Sequence, residues 1–302
     1  MIFKASYLKL NKEGRLRDIA ENLYNIYESC VLCPRKCRVN RNKGEKGVCR
    51  AGASVKISSV HPHFGEEKPL VGRNGSGTIF LTNCNLLCVY CQNWDISHIG
   101  EGKEISDEDL AYEMIRLQKL NCHNINFVSP THYLPNIVRA IIYAIELGLT
   151  IPLVYNTGGY ERVEIIKMIE GIFDIYLPDF KYWEGRMSSL YSCGAEDYPE
   201  RAKKAIKEMH RQVGVLKLDE RHIAQRGLMI RHLVLPNDLA GTKEFVEFVF
   251  DELDPGTYVN IMSQYHPSYK ANSFPELSRK PTTSEYTKAI LAARDHGLSN
   301  LD

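Results

Sequence analysis

The sequence contains no long apolar run. No stretch reaches the roughly 18 consecutive apolar residues of a membrane-spanning helix. The N-terminal residues, MIFKASYLKLNKEGR, lack the apolar core and the small-residue cleavage site of a secretory signal. An excess of charge of one sign is also lacking, because 38 Lys and Arg oppose 37 Asp and Glu, which leaves no global field to steer nucleic acid or an anionic membrane. We therefore expect a cytoplasmic protein that binds neither a membrane nor nucleic acid.

Repeats, low-complexity tracts and Gly/Ser linkers are absent as well, so only changes in hydrophobic periodicity divide the chain. After Gly77, short β-branched or aromatic runs alternate with amphipathic helical stretches. The predicted strands cover 78–82, 124–129, 151–156, 172–177, 229–235 and 257–262, and the predicted helices cover 107–120, 134–147, 161–170, 196–212 and 241–252. Parallel strands need crossover connections, so this alternation predicts an α/β fold with a parallel sheet. Functional residues are then expected at the carboxyl ends of the strands.

Cysteine is abundant and needs an explanation. The chain has nine cysteines, although disulfides rarely persist in a reducing compartment. Seven of them fall in two tight clusters, which is typical of metal binding. Cys122 and Cys193 are isolated, and we predict that each is a buried structural thiol.

The second cluster follows a predicted strand, in the sequence TIFLTNCNLLCVYCQNWD. The loop has CxxxCxxC spacing, with Cys84, Cys88 and Cys91. Because it follows the strand directly, the three cysteines lie at the carboxyl end of the sheet, where catalytic residues are expected. A structural zinc site needs four protein ligands, whereas a 4Fe-4S cluster held by three thiolates leaves one iron open for a small molecule. The triplet therefore predicts a cluster with chemistry at its open iron. The alternative is a zinc site completed by a distant residue, such as His98 or His61.

These residues resemble the radical S-adenosylmethionine (SAM) superfamily over about residues 75–267, and CVYCQN resembles the corresponding loop of the pyruvate formate-lyase activating enzyme branch. The resemblance implies a partial (β/α)6 parallel barrel, a 4Fe-4S cluster, and SAM chelated to the open iron. It also implies reductive cleavage of SAM to methionine and a 5'-deoxyadenosyl radical that abstracts hydrogen from a substrate. By the same resemblance, Tyr90 lies against the adenine, and Asn93 helps to fix the loop or the nucleoside.

Further cofactor contacts follow from the resemblance at the ends of later strands. Where the superfamily usually carries a GGE-type turn for the SAM amino group, this chain has SPTHY, so Ser129 and Thr131 offer oxygens without a carboxylate. His132 in that turn is either packed or in contact with SAM or substrate. The other implied contacts lie in turns similar to DTNG, LDLK and IRxVVxPG and in the sequence QYHP; they are Asn156, Thr157, Asp179, Lys181, Arg231 and His266.

Two of these assignments have structural alternatives. Arg231 points inward along an apolar strand, which is costly unless its guanidinium meets an anion. The SAM carboxylate is the predicted anion, and a structural salt bridge is the alternative. For Asp179 and Lys181 the alternative is an exposed ion pair, which contributes little to stability.

The first cysteine cluster, CVLCPRKCRVNRNKGEKGVCR, supplies four thiolates from Cys30, Cys33, Cys37 and Cys49. Four ligands make a closed site. Closure favours structural zinc, although an auxiliary 4Fe-4S cluster also takes four cysteines and the spacing does not separate the two. We interpret the seven Lys and Arg of this segment as a shell that offsets the negative charge of the metal-thiolate site. A similar leader occurs in uncharacterised relatives of the activating enzymes.

The sequence therefore predicts an N-terminal helix and four-cysteine metal-binding module at 1–72, a radical SAM-type barrel at 73–270, and a C-terminal helical extension at 271–302. The stretch HPHFGEEKPLVG at 61–72 is either a structural loop or a lid with substrate contacts. The first functional hypothesis is a radical SAM enzyme that takes electrons from a donor such as ferredoxin or flavodoxin and makes a 5'-deoxyadenosyl radical; activation of a glycyl radical enzyme is the first substrate considered within it. The alternatives are direct action on a small molecule or peptide, and a non-enzyme zinc or iron-sulfur module that binds a partner through its basic leader.

Overall fold

A computed structural model describes residues 3–302. Within this range the strands are β1 (Val55–His63), β2 (Ser76–Leu81), β3 (Lys103–Ile105), β4 (Ile125–Val128), β5 (Leu153–Thr157), β6 (Ile175–Pro178), β7 (Lys217–Leu218), β8 (Ala224–Leu233) and β9 (Tyr258–Met262). The helices are α1 (Ser6–Lys12), α2 (Arg15–Asn25), α3 (Lys68–Val71), α4 (Asp107–Lys119), α5 (Leu134–Glu146), α6 (Val163–Met168), α7 (Gly185–Tyr191), α8 (Tyr198–Val213), α9 (Thr242–Glu252) and α10 (Thr283–Asp295).

The sheet confirms the predicted α/β fold. Over residues 3–302, its parallel strands lie in the order β2, β4, β5, β6, β8 and β9. These are the six predicted strands, and helices fill the connections between them. The antiparallel strands β1, β3 and β7 were not predicted; β1 pairs with β2, and β3 pairs with β1. Because β1 belongs to the predicted module at 1–72, that module shares a sheet with the barrel, and the domain division stays a prediction.

Local signals explain where several helices begin. Ser106 precedes α4, and its Oγ accepts a hydrogen bond from the backbone N–H of Asp109 at 3.0 Å. Thr282 and Glu285 form a reciprocal capping box at the start of α10, in the predicted C-terminal extension. Such caps satisfy backbone N–H groups that have no partner within the helix. No helix among residues 3–302 is both long and apolar enough to cross a membrane.

Side chains alternate between the two faces of the parallel strands. Phe127, Tyr155 and Tyr176 lie in the large core between the sheet and its helices. Val154 and Leu177, one residue away on their strands, belong to a separate buried cluster on the inner face. Alternate residues of each strand therefore enter different buried clusters. Both faces of the sheet are buried, as expected for parallel strands.

The segment 64–72 lies across the open side of the barrel, between the first and last parallel strands. Leu70 on α3 joins the inner buried cluster. The carboxylate of Glu67 reaches Arg231 on β8 and accepts a hydrogen bond from Asn260 on β9 at 3.0 Å. Segment 64–72 thus connects the β2 edge to β8 and β9 and forms part of the wall of the cavity described below.

Candidate active site

The CxxxCxxC loop follows β2 and folds back on itself through positive φ angles at Asn83 and Leu87. Cys88 is buried, and Cys84 and Cys91 are half-buried. Each sulfur has a hydrogen-bond partner. The backbone N–H of Leu86 donates to Cys84 Sγ at 3.4 Å, Ser192 Oγ lies 3.1 Å from Cys88 Sγ, and Ser97 Oγ lies 3.2 Å from Cys91 Sγ.

Burial and neighbouring groups shift the pKa of two thiols of this loop, those of Cys88 and Cys91. Burial, with smaller contributions from Cys84 and Cys91, raises the pKa of Cys88 to about 12, while the nearby Lys181 opposes the rise. Burial and the neighbouring Cys84 also raise the pKa of Cys91. Cys88 and Cys91 are therefore neighbours that resist ionisation when no cation is present. A bound metal centre would favour their thiolate forms.

A cavity of about 500 Å³ opens beside the loop at the carboxyl ends of the strands. Most residues predicted to contact SAM or the cluster line it. They are Cys88, Tyr90, Cys91, Asn93, Ser129, Asn156, Thr157, Asp179, Lys181 and Arg231. Cys84, Thr131 and His266 are not part of this lining; His266 is exposed, with its Nδ1 3.2 Å from Gln92 Nε2. The sequence therefore located the cavity, whereas the role of each residue in it stays a prediction.

Asp179 and Lys181 form an ion pair within the cavity wall, with Nζ and Oδ2 2.6 Å apart. Both side chains are mostly buried, with 23% and 18% exposed, so the alternative of an exposed surface pair is wrong. Gly159 lets the turn after β5 approach this site, because a Cβ at its φ of 82° would overlap the carbonyl oxygen of Asp179. The ammonium of Lys181 lies close enough to lower the pKa of Cys88.

Arg231 is paired with the protein's own carboxylates. Its Nε and Nη2 donate to the two oxygens of Glu67 at 2.6 and 2.7 Å, and Nη2 also donates to Glu66. Burial alone would raise the pKa of Glu67, but the guanidinium holds it below its usual value. This ion pair is the structural salt bridge that was the alternative to a contact with the SAM carboxylate. The anions that meet the inward-pointing arginine are carboxylates of segment 64–72. Contact between Arg231 and the SAM carboxylate stays a prediction.

Glu161 is a buried carboxylate that the sequence analysis missed. Its Oε1 accepts hydrogen bonds from Thr131 and Thr157, each at 2.5 Å. Its Oε2 has no hydrogen-bond partner among the residues that the structure describes. Burial raises the pKa of Glu161 to about 7. Thr131, which the resemblance offered to SAM, donates to this protein carboxylate, and its contact with SAM stays a prediction. A Glu just after a strand-end turn was the available signal for Glu161.

We expect Glu161→Gln to stabilise the protein at alkaline pH. The folded-state pKa of about 7 lies above the ordinary 4.5, so the parent loses stability as pH rises from 4.5 through 7. The amide cannot ionise and avoids this loss, a gain of roughly 1–3 kcal/mol above pH 7. The Tm difference between variant and parent should therefore widen between pH 5 and pH 8. The exposed Glu146→Gln is the control, and a Tm difference that does not change with pH would contradict the prediction.

His132, in the same turn as Thr131, is packed. It is buried, and its Nε2 lies 2.7 Å from the carbonyl oxygen of Thr82. Burial lowers the pKa of His132 to about 3. The ring is therefore neutral and fixes the end of β2, which decides between the two interpretations of this histidine in favour of packing.

The N-terminal quartet also brings its thiols together. Burial, then Cys49 and Cys30, raises the pKa of Cys33 to about 12. Burial likewise raises the pKa of Cys49, to which Cys30 and Cys37 contribute. The quartet's cysteines therefore lie near one another, and the four-cysteine metal site stays a prediction.

Part of the basic shell around the quartet is used inside the fold. Arg41 is 2% exposed, stacks 3.9 Å from the ring centroid of Tyr27, and donates to the carbonyl oxygen of His132 at 2.6 Å. Arg50 donates to the carbonyl oxygen of His98 at 3.0 Å. These arginines attach the leader to the barrel, in addition to the predicted offset of metal-site charge.

The family model described as the radical SAM superfamily matches residues 78–219. Over 301 residues the chain is 35% identical to the uncharacterized protein MJ0674 of Methanocaldococcus jannaschii, covering 97% of this chain and 81% of that protein. The chain belongs to the radical SAM superfamily. A second uncharacterized protein of that organism, MJ0808, is 25% identical over 271 residues, with 82% of this chain and 73% of its own length covered.

Two solved structures are also similar to this radical SAM protein. TYW1 with a lysine-pyruvate adduct bound is 12% identical, with a TM-score of 0.46 and coverage of 72% of this chain and 73% of TYW1. HydG, a maturase of the FeFe-hydrogenase, is 14% identical, with a TM-score of 0.47 and coverage of 71% of this chain and 47% of HydG.

Membership of this enzyme superfamily implies a 4Fe-4S cluster and SAM. In the part of the chain that the structure describes, no group of three or more His, Cys, Asp or Glu side chains is placed to hold a metal ion. Each cysteine of a 4Fe-4S cluster binds a different iron, so the requirement is three neighbouring thiols beside an open cavity. The CxxxCxxC loop supplies these, with a hydrogen-bond partner on every sulfur. The residues present therefore fit the cluster.

The alternative interpretation of the triplet is a zinc site completed by a histidine. The structure does not place His98 or His61 as the fourth ligand. His98 Nδ1 lies 2.9 Å from Ser97 Oγ, which also contacts Cys91. His61 stacks on Phe80 with ring centroids 5.5 Å apart. Both rings thus have partners of their own.

Proposed function

We propose that this protein cleaves SAM reductively at a 4Fe-4S cluster held by Cys84, Cys88 and Cys91. When bound, the cluster and SAM supply a 5'-deoxyadenosyl radical that abstracts a hydrogen atom from a substrate. The observation that carries the proposal is the loop itself, in which every thiol has a hydrogen-bond partner and two of the three, those of Cys88 and Cys91, line a cavity of about 500 Å³. The protein's own contribution is to orient both reactants and to exclude water.

Polar side chains at the ends of β5 and β6 are proposed to hold SAM. Asn156 and Thr157 supply an amide and a hydroxyl, and Asp179 and Lys181 supply a carboxylate and an ammonium, all on the cavity wall. These donors and acceptors suit the amino, carboxylate and ribose hydroxyl groups of SAM. Tyr90, which is buried against two other tyrosines, is proposed as the apolar surface beneath the adenine.

Product analysis tests the proposal. Anaerobically reconstituted protein should carry about four irons at the triplet and, with SAM and dithionite, should release 5'-deoxyadenosine and methionine. Iron, zinc and both products are measured on the same sample. About two zinc ions per chain, no iron and no product would contradict the proposal and would favour a non-catalytic metal-binding module.

For the substrate we infer a small molecule or a short free peptide. Segment 64–72 covers the side of the barrel between β2 and β9, with Leu70 buried and Glu67 held by Arg231. Exposed lining residues lie both beside the cysteine loop, at Gln92 and Asn93, and on segment 64–72, at Gly65 and Lys68. A folded partner would have to displace segment 64–72 to reach the cavity, whereas a small substrate would pass between this segment and the loop.

Activation of a glycyl radical enzyme is the second candidate, because CVYCQN and the strand-end turns resemble the pyruvate formate-lyase activating enzyme branch. In that case a partner protein would supply a glycine loop, and a ferredoxin or flavodoxin would supply the electron. Incubation with SAM, reductant and a candidate partner should then give the EPR doublet of a glycyl radical. That doublet would overturn the small-substrate proposal while leaving the cleavage of SAM intact.

A further inference from the structure

Arg35 connects the N-terminal cysteine quartet to the CxxxCxxC loop. It lies between Cys33 and Cys37, and its half-buried guanidinium points away from them toward the barrel. It donates to the carbonyl oxygens of Asn85 at 2.9 Å and Leu86 at 3.5 Å, which lie between the first two cysteines of the triplet.

The same guanidinium bonds a second stretch of backbone, the turn after α7. It donates to the carbonyl oxygens of Ser192 at 2.9 Å and Cys193 at 2.6 Å. The ring of Tyr160 lies beneath it at 5.2 Å, and the Tyr160 carbonyl oxygen accepts a hydrogen bond from Asn85 Nδ2 at 2.8 Å. The planar fork of an arginine suits such a task, because its donors point in fixed directions toward several carbonyl groups at once.

Both stretches of backbone held by Arg35 carry hydrogen-bond partners of the triplet's sulfurs. Leu86 donates its N–H to Cys84 Sγ, and Ser192 Oγ lies against Cys88 Sγ. The Tyr182 hydroxyl, 3.0 Å away, holds Ser192 Oγ from its other side. A shift of either stretch would therefore change the hydrogen bonding of the sulfurs, which is one of the factors that set the reduction potential of an iron-sulfur cluster.

A further contact of the quartet reinforces this connection. Asn83 Nδ2 donates to the carbonyl oxygen of Cys49 at 3.0 Å, so the fourth cysteine of the quartet lies against the start of the CxxxCxxC loop. The quartet segment thus contacts the CxxxCxxC loop at two points. Asn83 makes one contact just before Cys84, and Arg35 makes the other between Cys84 and Cys88. Metal bound by Cys33 and Cys37 would fix the short backbone segment that carries Arg35.

We propose that Arg35 is a positioning residue through which the N-terminal metal site orders the cluster-binding loop. This rests on the proposed function, since it assumes a cluster at the triplet. Metal at the quartet holds Arg35 in place, and Arg35 holds the backbone on which the sulfur donors lie. The expected consequences are tighter retention of the cluster and a higher reduction potential than the loop would give alone.

Arg35→Gln and Lys36→Gln make a matched pair. Each substitution removes one positive charge from the leader. Of the two residues, Arg35 donates hydrogen bonds to the CxxxCxxC loop, whereas Lys36 is exposed. Arg35→Gln should lose iron from the triplet to a chelator about 10-fold faster than the parent, as expected for the loss of an outer contact of a metal site. Its cluster should also have a lower midpoint potential in an EPR-monitored titration, and Arg35→Lys should be intermediate. The change in EPR signal on adding SAM identifies the cluster with an open iron.

Equal iron retention and equal potential in Arg35→Gln and Lys36→Gln would overturn the proposal. Metal at the quartet is measured in every variant, because its retention shows that the N-terminal module is folded. If Arg35→Gln loses that metal, Arg35→Lys decides the matter, and parental values in a folded Arg35→Lys overturn the proposal. The iron content of the unaltered protein tests the proposed function separately. A triplet without iron would refute the proposed 4Fe-4S cluster, whereas it would not refute the contacts of Arg35 with the CxxxCxxC loop.

Discussion

Cys88→Ala should reduce the release of 5'-deoxyadenosine to the level of a protein-free control. Cys88 is the most buried thiol of the triplet and lies between Ser192 and the cavity. Alanine removes one of three cluster ligands, and two thiolates leave the cluster without its third anchor. Anaerobic product analysis with SAM and dithionite measures the effect, and iron analysis should show a loss of about four irons per chain.

Cys122→Ala is the matched control for this experiment. Cys122 is buried as predicted, whereas the same prediction is wrong for Cys193, which is exposed in the turn after α7. Cys122 lies at the opposite end of the sheet, after α4, and does not line the cavity. We expect parental product release and iron content from this variant. Substantial product formation by Cys88→Ala would show that the CxxxCxxC loop does not hold the reactive cluster.

The parallel strands could be predicted because each is a short β-branched or aromatic run between helices of regular period. β1 could not, because VKISSVHPH has polar residues on both faces and ends in histidines and proline. Its pairing with β2 depends on an antiparallel contact made after the chain turns through segment 64–72. Such long-range pairing leaves no periodic signal in either strand.

The cavity could be predicted for a similar reason, since residues at the carboxyl ends of parallel strands meet at one edge of the sheet. The hydrogen-bond and ion-pair partners of those residues could not be predicted from the sequence. Arg231 and Glu67 are 164 positions apart, and their ion pair depends on where segment 64–72 crosses the barrel. Glu161 was missed because its place just after a strand-end turn does not show that Thr131 and Thr157 will donate hydrogen bonds to it.

Arg231→Met is expected to cost about 3–5 kcal/mol of stability, because it leaves buried carboxylates without their cation. Glu66 and Glu67 both contact this guanidinium, and their side chains are 6% and 1% exposed. Thermal unfolding should therefore show a large drop in Tm. The control is Arg221→Met on an exposed pair with Asp219, where we expect at most about 1 kcal/mol.

The pH dependence of this loss should distinguish the ion pair from simple packing. In the parent, Arg231 holds the pKa of Glu67 low, so the stability from the pair is present at neutral pH and is lost as pH falls through that low pKa. Without the cation, burial raises the pKa of Glu67 instead, and ionisation then opposes folding. The Tm deficit of Arg231→Met should therefore grow between about pH 5 and pH 8. A deficit that is constant across this range would indicate lost packing alone.

Binding of SAM to the matched variant Glu67→Gln should decide whether Arg231 also serves the cofactor. The amide keeps the shape of Glu67 but withdraws its charge, so that among residues 3–302 Glu66 is the one carboxylate left on the guanidinium. If Arg231 contacts the SAM carboxylate, Glu67→Gln should bind SAM more tightly than the parent, because less protein charge competes for the arginine, and Arg231→Met should bind it more weakly. Equal SAM affinity in both variants and the parent, measured by anaerobic equilibrium dialysis, would assign Arg231 wholly to holding segment 64–72 across the barrel.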